Sequence, residues 1–190
     1  MVDFKCGFVN VIGMPNAGKS SLVNSITGVA TSIVTHKPQT TRERVFAIHN
    51  IDGYQIIFSD SPGYIENAYY KLHHYMNAQI ESQYEDADLF LFVHDSTSDK
   101  YLSEAVLAKV RHSKIPKILA LNKVDIATEK QIQACRSSFE MLMEFDHVIN
   151  VSAKSGQNVN ELLELIKIFI PIHPASVSYT HLTLPTNREV

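Results

Sequence analysis

Six short apolar runs recur along the chain, and longer stretches with helical periodicity separate most of them. Phe8–Ile12, Val45–Ile51, Tyr54–Ser59, Asp88–Val93, Lys117–Leu121 and His147–Val151 have the length and composition of strands. Asp88–Val93 and Lys117–Leu121 are apolar almost throughout, as strands covered on both faces are. Helical spacing predicts Lys19–Thr27, with Leu22, Val23 and Ile26 on one face and Gly28 as its stop. Further helices are predicted over Tyr101–His112, over Glu129–Glu144 through Ile132, Phe139, Leu142 and Met143, and over Val159–Ile170 through Leu162, Leu163, Leu165, Ile166 and Phe169. Pro171 ends the last of these. Asp52-Gly53 joins two strands with a hairpin signal, so that pair is antiparallel. The other strands alternate with helices and should be parallel. The fold predicted is a three-layer α/β/α domain. Its mostly parallel six-stranded sheet has one antiparallel strand, Val45–Ile51.

Two stretches break this alternation. Residues 29–44 have no clear period and are rich in Thr, and a loop of that length in a compact domain is usually functional or disordered. Residues 64–86 predict a loop leading into a helix with Tyr69, Leu72, Met76 and Ile80 on its core face. His73 and His74 are adjacent, diverge on a helix and are expected to be solvated rather than metal ligands.

Composition narrows the class. The 190 residues, 45% hydrophobic, suit one domain with a full core. A net charge of −3 gives no global signal for nucleic-acid binding. Two distant cysteines, Cys6 and Cys135, argue against a disulfide framework or a zinc site. With neither a signal-peptide core nor a membrane-length apolar run, the expectation is a soluble intracellular protein without stable membrane insertion.

The chemistry lies where strands end. Gly13-Met14-Pro15-Asn16-Ala17-Gly18-Lys19-Ser20 fits G-x-x-x-x-G-K-[ST] between a strand and a helix, the surroundings that a phosphate loop needs. Successive backbone N–H groups and the positive end of the helix, which Ser21 continues, would cradle phosphate oxygens. Lys19 would reach the β- and γ-phosphates and Ser20 would bind Mg²⁺. Asp60-Ser61-Pro62-Gly63 leaves the carboxyl end of a buried strand. Asp60 can hold Mg²⁺ through water, and the Gly63 amide can approach a γ-phosphate. Asn122-Lys123-Val124-Asp125 also leaves a central strand. The Asp125 carboxylate can accept from N1–H and the exocyclic amine of guanine, whereas adenine would leave it unpaired. Asn122 can brace the loop and reach N7, and the Lys123 stem can lie against the base. In Ser152-Ala153-Lys154 the Ala153 N–H could donate to guanine O6.

Four motifs in this order resemble the translation-factor-like GTPases, and Lys37-Pro38-Gln39-Thr40-Thr41-Arg42 resembles the switch I signature of the Era family of bacterial ribosome-assembly GTPases. The likeness covers roughly residues 4–173, taken as a G domain over 1–173. It implies hydrolysis of GTP to GDP with Mg²⁺, action as a switch in small ribosomal subunit assembly, 16S rRNA as partner, a monomer, and the cytoplasm with peripheral association at the inner membrane left open. Thr41, with Thr40 as the alternative, would supply the switch I hydroxyl to Mg²⁺, and Asn16 would help bind an activating K⁺ beside the phosphates.

Three positions depart from the family. Ser61 replaces the usual Thr and keeps the hydroxyl. Tyr64 stands where many GTPases place a water-positioning Gln and the family an apolar residue, so slow intrinsic hydrolysis is expected. No G-x-x-G follows Gly156, so the family's KH domain is not expected here and rRNA binding should be weak. Residues 174–190 do not resemble the family's linker, which points to a truncated gene model with a non-native end. Alternatives are a non-hydrolysing guanine-nucleotide-dependent binding module, a related GTPase acting on tRNA modification or large-subunit assembly, and an ATPase.

Overall fold

The chain alternates between the two sides of a sheet that its own strands build. In the computed structural model, residues 4–28, 33–34, 45–60, 87–102 and 104–174 are described. The strands are β1 (Lys5–Ile12), β2 (Ile33–Val34), β3 (Val45–Ile51), β4 (Tyr54–Asp60), β5 (Leu89–Asp95), β6 (Lys117–Asn122) and β7 (His147–Asn150). The helices among the described residues are α1 (Lys19–Thr27), α2 (Glu104–Arg111), α3 (Glu129–Leu142) and α4 (Val159–Phe169). The expected helix within 64–86 and the tail after 174 lie outside the described residues.

The sheet runs β2-β3-β4-β1-β5-β6-β7, with β1 parallel to both β4 and β5. β5–β6 and β6–β7 are parallel as well. β3 pairs antiparallel with β4 through the Asp52-Gly53 turn, where Gly53 has φ 79°. The six predicted strands are all present. The seventh, β2, falls within residues 29–44, where no clear period predicts an element. It is two residues long, too short for alternation to register, and its antiparallel pairing with β3 makes it an edge. Among the described residues, Val45–Ile51 is the one strand running against the rest.

Alternate residues of the central strands feed two cores. Leu89, Leu91 and Val93 of β5, with Ile118 and Ala120 of β6, pack with Leu22, Val23 and Ile26 of α1 and Val159, Leu162 and Ile166 of α4. Phe90, Phe92, Leu119 and Leu121 point the other way, onto Val106, Leu107 and Val110 of α2 and Ile132, Cys135 and Phe139 of α3. This two-sided burial is why β5 and β6 read as apolar runs without alternation. Each fully buried large side chain contributes about 2 kcal/mol. The start of α3 is held by a capping box: Thr128 Oγ1 accepts from Gln131 N (3.3 Å) and Gln131 Oε1 accepts from Thr128 N (2.9 Å). With both cores formed, β1, β4, β5 and β6 end side by side at one edge, where the candidate residues gather.

Candidate functional site

The loop from Gly13 to Gly18 curls between β1 and α1, and backbone space explains its glycines. A Cβ on Gly13 would run into the Val93 carbonyl oxygen of β5. Gly18 has φ 92° and lies so close to Asn122 Nδ2 that a side chain would displace it. Asn16 is also left-handed, at φ 65°, a conformation asparagine tolerates better than most residues. Ala17 N donates to Met14 O (3.2 Å) and closes the turn. Lys19 Nζ lies over this loop, donating to Gly13 O (3.1 Å) and Met14 O (3.3 Å). Ala17 is buried, whereas Pro15, Asn16, Ser20 and Ser21 are exposed around the mouth of the loop. Asp60 is the last residue of β4, in register with Val11 just ahead of the loop. Thr40, Thr41, Ser61, Pro62, Gly63 and Tyr64 lie outside the described residues.

The opposite half of the edge is assembled by Asn122, which is 1% exposed at the end of β6. Its Nδ2 donates to Ala17 O (2.9 Å), 105 residues away, and its Oδ1 accepts from Ala153 N (3.0 Å). The bracing role expected of it is therefore made by both ends of one amide, and the Ala153 N–H, expected to face guanine O6, donates to Asn122 here. Asp125 is exposed and accepts from Ser152 Oγ (2.7 Å). Ser152, fully buried, in turn receives Ser155 N at 3.1 Å, so the 152–156 turn aims the Asp125 carboxylate. Lys154 is exposed at that turn.

Lys123 is left-handed at φ 63°, and its Nζ lies 2.6 Å from Asp95 Oδ2 at the end of β5. Burial works to raise the Asp95 pKa, but bonds from Lys123 and Thr97 outweigh it and hold the carboxyl below its ordinary value. In the sequence Asp95 belongs to no recognised motif. The rule that singled out Asp60 and Asp125, a carboxylate leaving a central strand at this edge, applies to it equally. Beside it, His94 is buried between Tyr101, stacked at 5.1 Å, and Phe139 at 4.9 Å, and its Nε2 has no hydrogen-bond partner among the described residues. Burial lowers its pKa despite a bond to the Ser98 backbone and the nearby Asp95.

A glycine cradle with a lysine over it and an Asn-Lys-x-Asp turn wired to it, on an α/β sheet, define a G domain of the P-loop GTPase class. The model of the 50S ribosome-binding GTPase family matches residues 8–123. The chain belongs to this family. Its similarity extends to Era GTPases, among them that of Caldicellulosiruptor saccharolyticus, 39% identical over 173 residues that make up 90% of this chain and 57% of the relative. A crystal structure of Era in complex with MgGDPNP and nucleotides 1506–1542 of 16S ribosomal RNA superposes with a TM-score of 0.76 at 32% identity, over 92% of this chain and 60% of that one. A variant of Aquifex aeolicus Era bound to GDP·AlF4⁻ superposes with a TM-score of 0.75 at 31% identity, again over 92% and 60%. The chain thus spans a little over half the length of the relatives it matches. Among the described residues, no helix is long and apolar enough to cross a membrane.

Proposed function

We propose that this chain is a G domain, over residues 1–173, that binds GTP and GDP with Mg²⁺ and hydrolyses GTP, serving as the nucleotide switch of a protein acting in small ribosomal subunit assembly. The observation that carries the reading is the Asn122 amide, which ties the phosphate loop to the base-side turn through Ala17 O and Ala153 N. A phosphate site and a guanine site held at a set separation are what a guanine nucleotide requires. Similarity to Era GTPases supports the switch and the assembly role, and Era's complex with a 16S rRNA segment supports RNA as the partner class. The domain acts as a monomer in the cytoplasm.

The residues divide the work. Backbone N–H groups between Asn16 and Ser21 would line the phosphates, with Gly13 and Gly18 giving them room and Pro15 contributing no donor. Lys19, now bonded to loop carbonyls, would turn its ammonium to the β- and γ-oxygens. Ser20, Asp60 and Thr41 would hold Mg²⁺, and the exposed Ser20 at the loop mouth and Asp60 in register beside β1 fit that donor set. Bound Mg²⁺ supplies charge neutralisation across the phosphates. Gly63 offers its amide to the γ-phosphate beside Ser61 and Pro62. Asp125, aimed by Ser152, reads the guanine edge while Lys123 flanks the ring and Ala153 and Lys154 close the far side. Asn16, exposed and left-handed at the loop mouth, would help hold a K⁺, which would offset transition-state charge in place of an arginine finger.

The test is phosphate release in Mg²⁺ buffer, in KCl against NaCl at equal ionic strength. Turnover should be faster in KCl, and Asn16→Ala should remove that advantage. Asp125→Asn should weaken GTP more than xanthosine triphosphate. Bound GDP with no turnover in either salt would leave a nucleotide-dependent binding module, and failure to bind guanine nucleotide would sink the proposal.

A further inference from the structure

Asp95 uses its two oxygens for different tasks. Oδ2 takes the Lys123 ammonium at 2.6 Å, while Oδ1 accepts from Thr97 N (2.9 Å) and Thr97 Oγ1 (2.7 Å). The carboxylate is thus fixed to its own turn before it touches the lysine. The strand ends are fixed to each other as well: Asp95 is in register with Asn122, and Ser96 N donates to Asn122 O (3.0 Å). Lys123 therefore starts from the end of one strand, in a backbone conformation few lysines adopt, and is drawn to the end of the next. Its side chain and that of Asp95 are 32% and 17% exposed, so the bond is only partly open to water. A lysine without such an anchor would sample many rotamers, and ordering it on nucleotide binding would cost affinity.

We propose that Asp95 is a positioning residue of the guanine site: it draws the Lys123 ammonium to the β5 end so that the lysine stem stands ready as one wall of the base slot, with Thr97 orienting Asp95. The inference rests on the reading of residues 122–125 as the base-binding motif. It assigns to β5 a part in nucleotide affinity that does not involve touching the nucleotide. Because the stem meets the ring rather than its exocyclic amine, the contribution is the same for guanine and hypoxanthine.

The experiment is stopped-flow release of fluorescently labelled GDP and IDP from the full chain. Variants are Asp95→Asn, Lys123→Met, the double variant and Thr97→Val, each with a thermal melt of the nucleotide-free protein. Asp95→Asn should release GDP about fivefold faster, in the range of partly exposed charge pairs. It should speed IDP release by the same factor and add nothing once Lys123 is Met. Thr97→Val should act in the same direction more weakly. Wild-type release rates in Asp95→Asn, or an effect that persists in full beside Lys123→Met, would overturn the inference while leaving the guanine site standing. A wild-type chain that binds no GDP would instead overturn the guanine reading itself.

Discussion

Asn122 is the side chain on which the two halves of the site depend. It is buried, and its amide is used at both ends, by Ala17 O and Ala153 N. Asn122→Ala would leave a carbonyl and an N–H without partners where water has little access, and should cost about 3 kcal/mol of stability. GDP affinity should fall further than stability implies, by about a hundredfold, because the phosphate loop and the base turn lose their common strut. Urea unfolding and GDP titration of one preparation check both figures, and an affinity loss no larger than that of a surface variant would argue against the strut. The motif was legible from residue types and spacing, but the bond from Asn122 to Ala17 was expected only as bracing. That Ala153 would spend its N–H on Asn122 could not be read at all, since the two are 31 residues apart.

The elements illustrate how far local signals reach. The bounds of α1 match those predicted from helical spacing with Gly28 as stop, and both flanking glycines, Gly18 and Gly28, have positive φ. β5 and β6 were recognisable because burial on both faces removes polar residues from the strand. β2 escaped because two residues carry no period and its pairing with β3 is tertiary. The capping box at Thr128 is written in the sequence as Thr-x-x-Gln at the start of a helical pattern. Its worth can be measured: Thr128→Ala should lower stability by about 1 kcal/mol and leave nucleotide affinity unchanged, since the cap's bonds run between Thr128 and Gln131 and none of them reaches Asn122–Asp125.

Across the domain, pH couples to stability through groups that folding buries. Burial lowers the His94 pKa, and burial together with the Lys167 ammonium lowers that of His49. For a group whose folded pKa lies below its unfolded value, the unfolded chain takes up the proton first, so stability is full above the unfolded value and declines as pH falls toward the folded one. Both histidines start from 6.5, so stability should be level above about pH 7 and drop below 6.5. Asp95 has the same sign and adds a further loss below 3.8, as its bond to Lys123 is protonated away. Urea midpoints at pH 7.5 and 5.5 test this, and His94→Leu should shrink the difference between them. An unchanged difference would remove His94 from the account. Nucleotide binding should oppose the decline, because a ligand that binds only the folded chain stabilises it, by about 2.7 kcal/mol at a hundred times its dissociation constant.

The strand and helix segments, their mainly parallel arrangement and the four motifs at the strand ends follow from local chemistry: periodicity, glycine freedom and turn propensity act within a few residues and leave their trace there. The linkages between motifs do not. Asp95 with Lys123, Asn122 with Ala17, and Ser152 with Asp125 join residues 28, 105 and 27 positions apart. Each partner is an ordinary residue at a strand end or loop until the sheet stacks β1, β5, β6 and β7 side by side. Strand order and register bring them within hydrogen-bonding distance, and these are set by the competition of whole faces for burial rather than by any short stretch of sequence.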